Sequence, residues 1–155
     1  MRRTKPEPRV VNPDVRYNSL PVTFFIHRIM KRGKKSVATT IMYDALDIIK
    51  EKTGKNPIEV LELALKNVGP QMEVRPRRVG GSTYQIPMEV PTSRRMTLAM
   101  RWIIDSATGR TGNSYAEKLS AEIVEASNNQ GSAVRKREET HKMAEANRAF
   151  SHFRM

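Results

Sequence analysis

The chain has 155 residues, 28 Lys or Arg against 16 Asp or Glu for a net charge of +12, 38% hydrophobic residues, 6% aromatic residues and no Cys. That length suits one domain with a modest core, and the charge favours polyanionic partners, nucleic acid or an acidic membrane surface. Without Cys there is no disulfide, thiolate metal site or Cys nucleophile. A bilayer-spanning helix needs about 20 apolar residues, and the longest uncharged apolar run, Leu20 to Ile26, covers about a third of that.

The basic start, Met1 to Lys5, is followed by Glu7, Pro8, Arg9, Asn12, Pro13 and Asp14 where a signal segment needs apolar residues, so the chain is expected to stay in the cytosol. Residues 1–36 hold ten Lys or Arg and only two acids, Glu7 and Asp14, a local net charge of +8 (10 − 2). The charge is therefore a patch.

Residues 1–18 mix basic side chains with Pro6, Pro8 and Pro13 and read as an extended basic arm. From Ser19, a candidate cap, Val22, Phe25, Ile26 and Ile29 recur at helical spacing, leaving His27, Arg28, Lys31 and Arg32 off the apolar stripe. Gly33-Lys34-Lys35 breaks this helix. Ala38, Ile41, Met42, Ala45, Ile48 and Ile49 mark a second, ending near Gly54. Asn56-Pro57-Ile58-Glu59 has the pattern of a capping box and opens a third, stopped by Gly69-Pro70.

At Met72 the period changes to two. Met72 and Val74, then Tyr84, Ile86, Met88 and Val90, alternate with other residues around Gly80-Gly81-Ser82, so 72–90 is expected to be a β-hairpin. Pro76 and Pro87 suit edge strands of a projecting arm. Pro91-Thr92-Ser93 opens a long helix with Met96, Ala99, Trp102, Ile103 and Ala107 on its apolar face, Trp102 being read as core. Arg94, Arg101 and Asp105 share the remaining stripe. Ser114 to Glu117 is a second capping box, and a charged helix runs from Ser132 to about Phe150, with Arg135/Glu139 and Glu138/Lys142 at i, i+4. The expected fold is mainly α: one domain over 1–155, with a basic arm (1–18), helices (19–71), a hairpin (72–90), further helices (91–150) making about six in all, and a tail (151–155). Arm and tail are expected to be disordered in the free protein.

Catalytic patterns are weak. His27, His141 and His152 lack metal-ligand spacing, and His141 with Glu145 reads as a solvated helix pair. Gly80 to Thr83 lacks the Lys of a phosphate loop. The basic clusters are more informative. Arg28, Lys31, Arg32, Lys34 and Lys35 exceed what a helix C-terminus needs for its dipole. Arg75, Arg77 and Arg78 adjoin Gly80 and Gly81, where backbone and guanidinium groups can approach a phosphate together. Arg94 and Arg95 open a helix, where cations oppose the dipole. An external phosphate would compensate them, and on that reading replacing both with Glu leaves the free protein at least as stable.

Several stretches then carry a resemblance: Arg32-Gly33-Lys34-Lys35-Ser36, the segment from Val74 to Gln85, Leu98 to Ile103, and Gly131 to Phe150. Across essentially its whole length the chain resembles the family of bacterial small-subunit ribosomal protein seven. The resemblance implies a helical body with an arm-like hairpin and basic ends. It also implies a non-enzymatic primary binder of small-subunit (16S) ribosomal RNA that nucleates the head, the 3′ major domain, and acts in translation with no cofactor. Its implied surroundings are the mRNA exit, exit-site tRNA and ribosomal proteins nine and eleven, with no membrane and a monomer when free.

Matched by motif, Arg2, Arg3, Arg9, Lys34, Lys35, Arg94 and Arg95 fall in the family's RNA-facing regions, and Arg77, Arg78, Gly80 and Gly81 in the hairpin beside RNA and tRNA. Arg28, Lys31, Arg32, Arg75, Lys136 and Arg137 complete the candidate RNA-binding set. Arg32 stands where many relatives have an acid, and Met155 where an aromatic is common. Without the resemblance, the competing readings are a helical DNA-binding regulator, which should dimerise and prefer duplex DNA, and an RNA-modifying enzyme, which needs converging titratable groups.

Overall fold

The computed structural model describes residue 7 and residues 9–153, and Arg2 and Arg3 lie outside them. Among the described residues the chain forms helices α1 (Leu20–Ile29), α2 (Lys35–Thr53) and α3 (Pro57–Val68), strands β1 (Met72–Val79) and β2 (Ser82–Glu89), then α4 (Thr92–Gly109), α5 (Tyr115–Ser127) and α6 (Ser132–Ala146). A 3₁₀ helix, Arg148–Phe153, follows. This is the mainly α class with one hairpin that the periodicity predicts. No helix among the described residues is long and apolar enough to cross a membrane.

Helix α5 is the centre of the body. It packs against α2, α3, α4 and α6, and Leu119, Ile123 and Ala126 are fully buried with Phe25, Met42, Ile49, Leu61 and Ile103. Completely burying one such side chain contributes about 1.5–3 kcal/mol. Trp102 is half-buried and packed on the core, while Met96, predicted to be on the apolar face, is 37% exposed.

Caps follow the sequence at two helices. Asn56 Oδ1 accepts from Ile58 N–H at 3.1 Å, and Ser114 Oγ accepts from Glu117 N–H at 3.2 Å. Ser19 occupies the cap position of α1, but its buried Oγ has no hydrogen-bond partner. Its carbonyl is used instead, accepting from Asp14 N–H at 3.3 Å and Thr23 N–H at 3.4 Å.

Those bonds reflect a correction to the arm. Residues 14–18 form a docked turn. Asp14 is buried; its Oδ2 accepts from Arg16 and Tyr17 N–H at 3.0 Å each, and its Oδ1 from the Tyr43 hydroxyl at 2.8 Å. Arg16 forks onto Asp47 of α2 at 2.8 and 3.0 Å, its guanidinium 5.2 Å from the ring centroids of both Tyr17 and Tyr43. The extended-arm reading counts Arg16 only as charge, whereas local Asx-turn bonding and aromatic stacking bind it to the body.

Helix α6 has little apolar surface and begins at Gly131 without a side-chain cap of its own. A residue on α5 supplies one. Glu122 is 0% exposed; its Oε1 accepts from Ala133 N–H at 2.9 Å, and its Oε2 accepts from Arg110 Nε at 2.6 Å. Arg110 also grips Glu125 with both terminal nitrogens, which holds the Glu125 carboxyl below its ordinary range. Gly131 has φ +94, and a Cβ there would meet Glu122 Oε1 at 3.0 Å, so the approach requires glycine.

The hairpin turns through Gly80 and Gly81, with φ +58 and +90, as a two-residue loop with Val79 paired to Ser82. This register pairs Met72 with Glu89 and Val74 with Pro87, and cross-strand partners share a face. The apolar rows of the two strands therefore lie on opposite faces. Ile86 and its neighbour Pro87 are both buried, so the root is covered on both sides, chiefly by α6 and the 3₁₀ helix. Tyr84 meets Phe150 at 5.3 Å. The 3₁₀ helix, which includes residues 151–153 of the predicted tail, packs on β2.

The expected Arg135/Glu139 and Glu138/Lys142 pairs are replaced by Lys136–Glu139 and Arg137–Glu138, both at 3.6 Å.

Glu122→Ala uncaps the α6 N-terminus and frees Arg110 Nε, while Glu125 still holds the terminal nitrogens of Arg110. It is expected to lower the unfolding free energy in urea by roughly 1–3 kcal/mol, against about 0.5 kcal/mol or less for Glu62→Ala on the exposed side of α3. A second prediction concerns His141, whose Nε2 accepts from Gln71 N–H at 3.0 Å at the hairpin root. Burial, then Arg137, lowers its pKa from 6.5. The unfolded chain then binds more protons below that pH, so this contribution is present above about 6.5 and is lost as pH falls towards the folded value. Melts between pH 7.5 and 5.5 should show a steeper decline in the wild type than in His141→Gln.

Candidate nucleic-acid interface

Helix α1 ends at Ile29, before the predicted break at Gly33, because Arg32 and Gly33 adopt φ +53 and +73 and Lys34 N–H closes a turn on Lys31 O at 3.1 Å. The turn fans Lys31, Arg32 and Lys34 into solvent, joined by Arg28 from α1 and Lys35 from α2, all exposed. Helix α2 starts with no side-chain cap and no acid in its first turn. Its first N–H groups and these cations form a local source of positive potential.

Two grooves gather the cluster. Arg9, His27 and Lys35 line one of about 560 Å³ between the arm and helices α1 and α2. Arg28 and Lys31 line the other with residues of α2, α4 and α5. Arg28 Nη2 donates to Thr97 Oγ1 of α4 at 3.1 Å. Arg94 and Arg101 lie three and four positions from Thr97, on the same face of α4. This brings the start of α4 beside the α1–α2 turn. Arg101 is exposed and falls outside the candidate set drawn from the sequence, although its stripe with Arg94 was legible there.

Helix α4 also starts without a side-chain cap or an acid, but, contrary to the expectation from sequence, Arg94 already has an internal carboxylate partner. Glu73, 7% exposed, accepts from Arg94 Nε at 2.8 and 2.9 Å and from Arg75 Nε at 2.6 Å. An internal carboxylate compensates both of these cations, leaving only their outer edges for a ligand. Arg95 is half-buried, with its stem packed over Gly69 and its Nε without a hydrogen-bond partner. Arg137 is likewise structural, donating to the Asn67 carbonyl of α3. Lys136 remains exposed, as do Arg77, Arg78, Gly80 and Gly81 at the hairpin tip.

Fold and surface together define the class: a mainly α protein with a projecting β-hairpin and a cationic face where α1, α2 and α4 meet. The chain belongs to the ribosomal protein S7p/S5e family, whose model matches residues 1–148. It is 53% identical over 153 residues to the small ribosomal subunit protein uS7 of Thermomicrobium roseum, covering 99% of this chain and 98% of the relative. With the protein of the same name from Fervidobacterium nodosum it shares 55% identity over 154 residues, 99% of each chain. With that of Azorhizobium caulinodans it shares 55% over 153 residues, 99% of this chain and 98% of the other. The family is one of ribosomal structural proteins acting in translation, not of enzymes, and membership replaces the DNA-binding regulator as a reading.

The Arg94–Glu73 pair reverses the expectation for Glu substitution. Arg94→Glu sets a carboxylate against a buried one and should cost roughly 1–3 kcal/mol of stability. In a double-mutant cycle Arg94→Ala and Glu73→Ala should couple by about 0.5–3 kcal/mol; additivity would return Arg94 to a purely external role.

Proposed function

We propose that this ribosomal protein binds small-subunit (16S) ribosomal RNA as a primary binder that nucleates the head, the 3′ major domain. Its station is the ribosome in the cytoplasm, near the mRNA exit and exit-site tRNA, with ribosomal proteins nine and eleven as neighbours. The observation that carries the reading is the uncompensated cluster of Arg28, Lys31, Arg32, Lys34 and Lys35 around an uncapped helix start. A folded domain has no use for such an arrangement unless phosphates complete it. Arg9 and the hairpin tip, with Arg77, Arg78, Gly80 and Gly81, offer further surfaces to RNA or tRNA. Arg2 and Arg3 would extend the arm's contribution. Arg75, Arg94, Arg95 and Arg137 act mainly by holding the hairpin root and helix starts in position, with their outer edges available to phosphate.

Phosphate contacts orient such a protein, while RNA shape and junction geometry supply selectivity. A footprint on naked small-subunit RNA should give protections confined to one junction of the 3′ domain; uniform or absent protection overturns the reading. Affinity should fall steeply with salt. Replacing Arg32, Lys34 and Lys35 with Ala should flatten the log–log slope by about 0.7–0.9 for each phosphate that is no longer neutralised and leave the melting temperature unchanged.

A further inference from the structure

The groove that Arg28 and Lys31 share with α2, α4 and α5 has a volume of about 550 Å³ and combines cations with apolar side chains and one exposed acid. Its lining is largely apolar: Ile29, the half-buried Ile41 and Ile104, and the half-buried ring of Tyr115. The Tyr115 hydroxyl donates to the Ile104 carbonyl at 3.4 Å and the Thr108 hydroxyl to the same carbonyl at 2.8 Å, which fixes that side of the groove. Asp105 enters the same lining. It is exposed and has no hydrogen bond or ion pair among the described residues, although Arg101 lies one turn away on α4.

The acid is the informative feature. A carboxylate beside a phosphate-binding cluster repels the phosphates that the cluster attracts, so a pure phosphate cradle would carry a cation or hydroxyl there. An ionised carboxylate offers two acceptors and no donor. With apolar and aromatic surroundings and two cations beside it, it suits a flat ring that presents two adjacent N–H donors on one edge and carries a phosphate. Of the four RNA bases only guanine does so, through N1–H and N2–H; adenine and cytosine place an acceptor beside their amine, and uracil flanks its one N–H with carbonyls.

We infer that this groove takes one unpaired guanine of RNA, with its N1–H and N2–H donated to Asp105, its ring against Tyr115 and the isoleucines, and its phosphates on Arg28 and Lys31. The inference rests on the reading of this face as RNA-binding and adds a base-specific contact to it. The volume accommodates one nucleotide.

The experiment uses the full chain and a small-subunit RNA fragment, probed with a reagent that modifies guanine N1 and N2. Wild type should protect one unpaired guanine. Asp105→Asn should keep the melting temperature and salt slope, lose that protection and bind about tenfold more weakly. Replacing the protected guanine with adenine should weaken wild type by a similar factor and restore binding by the Asn variant, whose amide matches adenine N6–H and N1. The inference is overturned if no guanine depends on Asp105 for protection or if adenine fails to rescue the variant. Failure of the RNA-binding reading itself is distinguishable: wild type would then give no saturable binding and no footprint, and both would fall together.

Discussion

Glu122 is a charged group with no exposure to water, and the position of α6 depends on it. An isolated buried carboxylate would cost several kcal/mol, but here one oxygen caps the first turn of α6 and the other holds Arg110 from the α4–α5 connection. Three segments distant in sequence are thereby fixed at one point. Helix α6 could not dock on apolar burial alone, since of its first turns only Ala133 and Val134 are buried apolar residues. Once docked, it presents His141 to the backbone at Gln71 and Arg137 to the end of α3. The hairpin root therefore depends, through α6, on a carboxylate in the centre of the body.

Four further acids serve the fold in a similar way. Asp14 and Asp47 organise the turn that holds Arg16, Glu73 takes Arg75 and Arg94, and Glu122 with Glu125 takes Arg110. These acids pair with groups that serve the fold, whereas Lys31, Arg32, Lys34 and Lys35 at the α1–α2 turn are exposed and make no ion pair among the described residues. In a chain of net charge +12, self-repulsion opposes compaction. Pairing part of the charge inside the structure limits that repulsion without neutralising the outward face.

Hydrophobic periodicity made the helices, their order and the hairpin legible, because burial of a stripe depends on spacing within one element. Caps within four residues were legible at Asn56 and Ser114 for the same reason. Pairings across the fold were not. Arg94 and Glu73 are 21 positions apart and belong to different elements, and nothing local distinguishes an arginine awaiting phosphate from one that has a carboxylate. Glu122 left a signal: it sits beside Ile123 in the apolar stripe of α5, three positions after Leu119, where a solvated acid does not belong. Asp14 left a weaker one, since an Asp two and three residues before Arg16 and Tyr17 is placed for an Asx turn.

The hairpin separates what alternation establishes from what it leaves open. Alternation within each strand identified two strands, but only the turn sets how their rows combine. A two-residue glycine loop pairs even-numbered positions with odd ones, which sends Met72 and Val74 to one face and Ile86 and Met88 to the other. Had the loop held one residue more, both rows could have met on a single face, and the hairpin could have lain flat on the body as a half-buried sheet. With apolar groups on both faces near the root, it is instead held by α6 and the 3₁₀ helix and, through Glu73 and Arg94, by α4. Beyond the grip, Arg75 to Arg78 and Gly80 to Thr83 carry no apolar side chain that the body covers, so the distal half stands clear of the core. The parity of a two-glycine turn is thus sufficient to convert an ordinary amphipathic pattern into a projecting cationic arm.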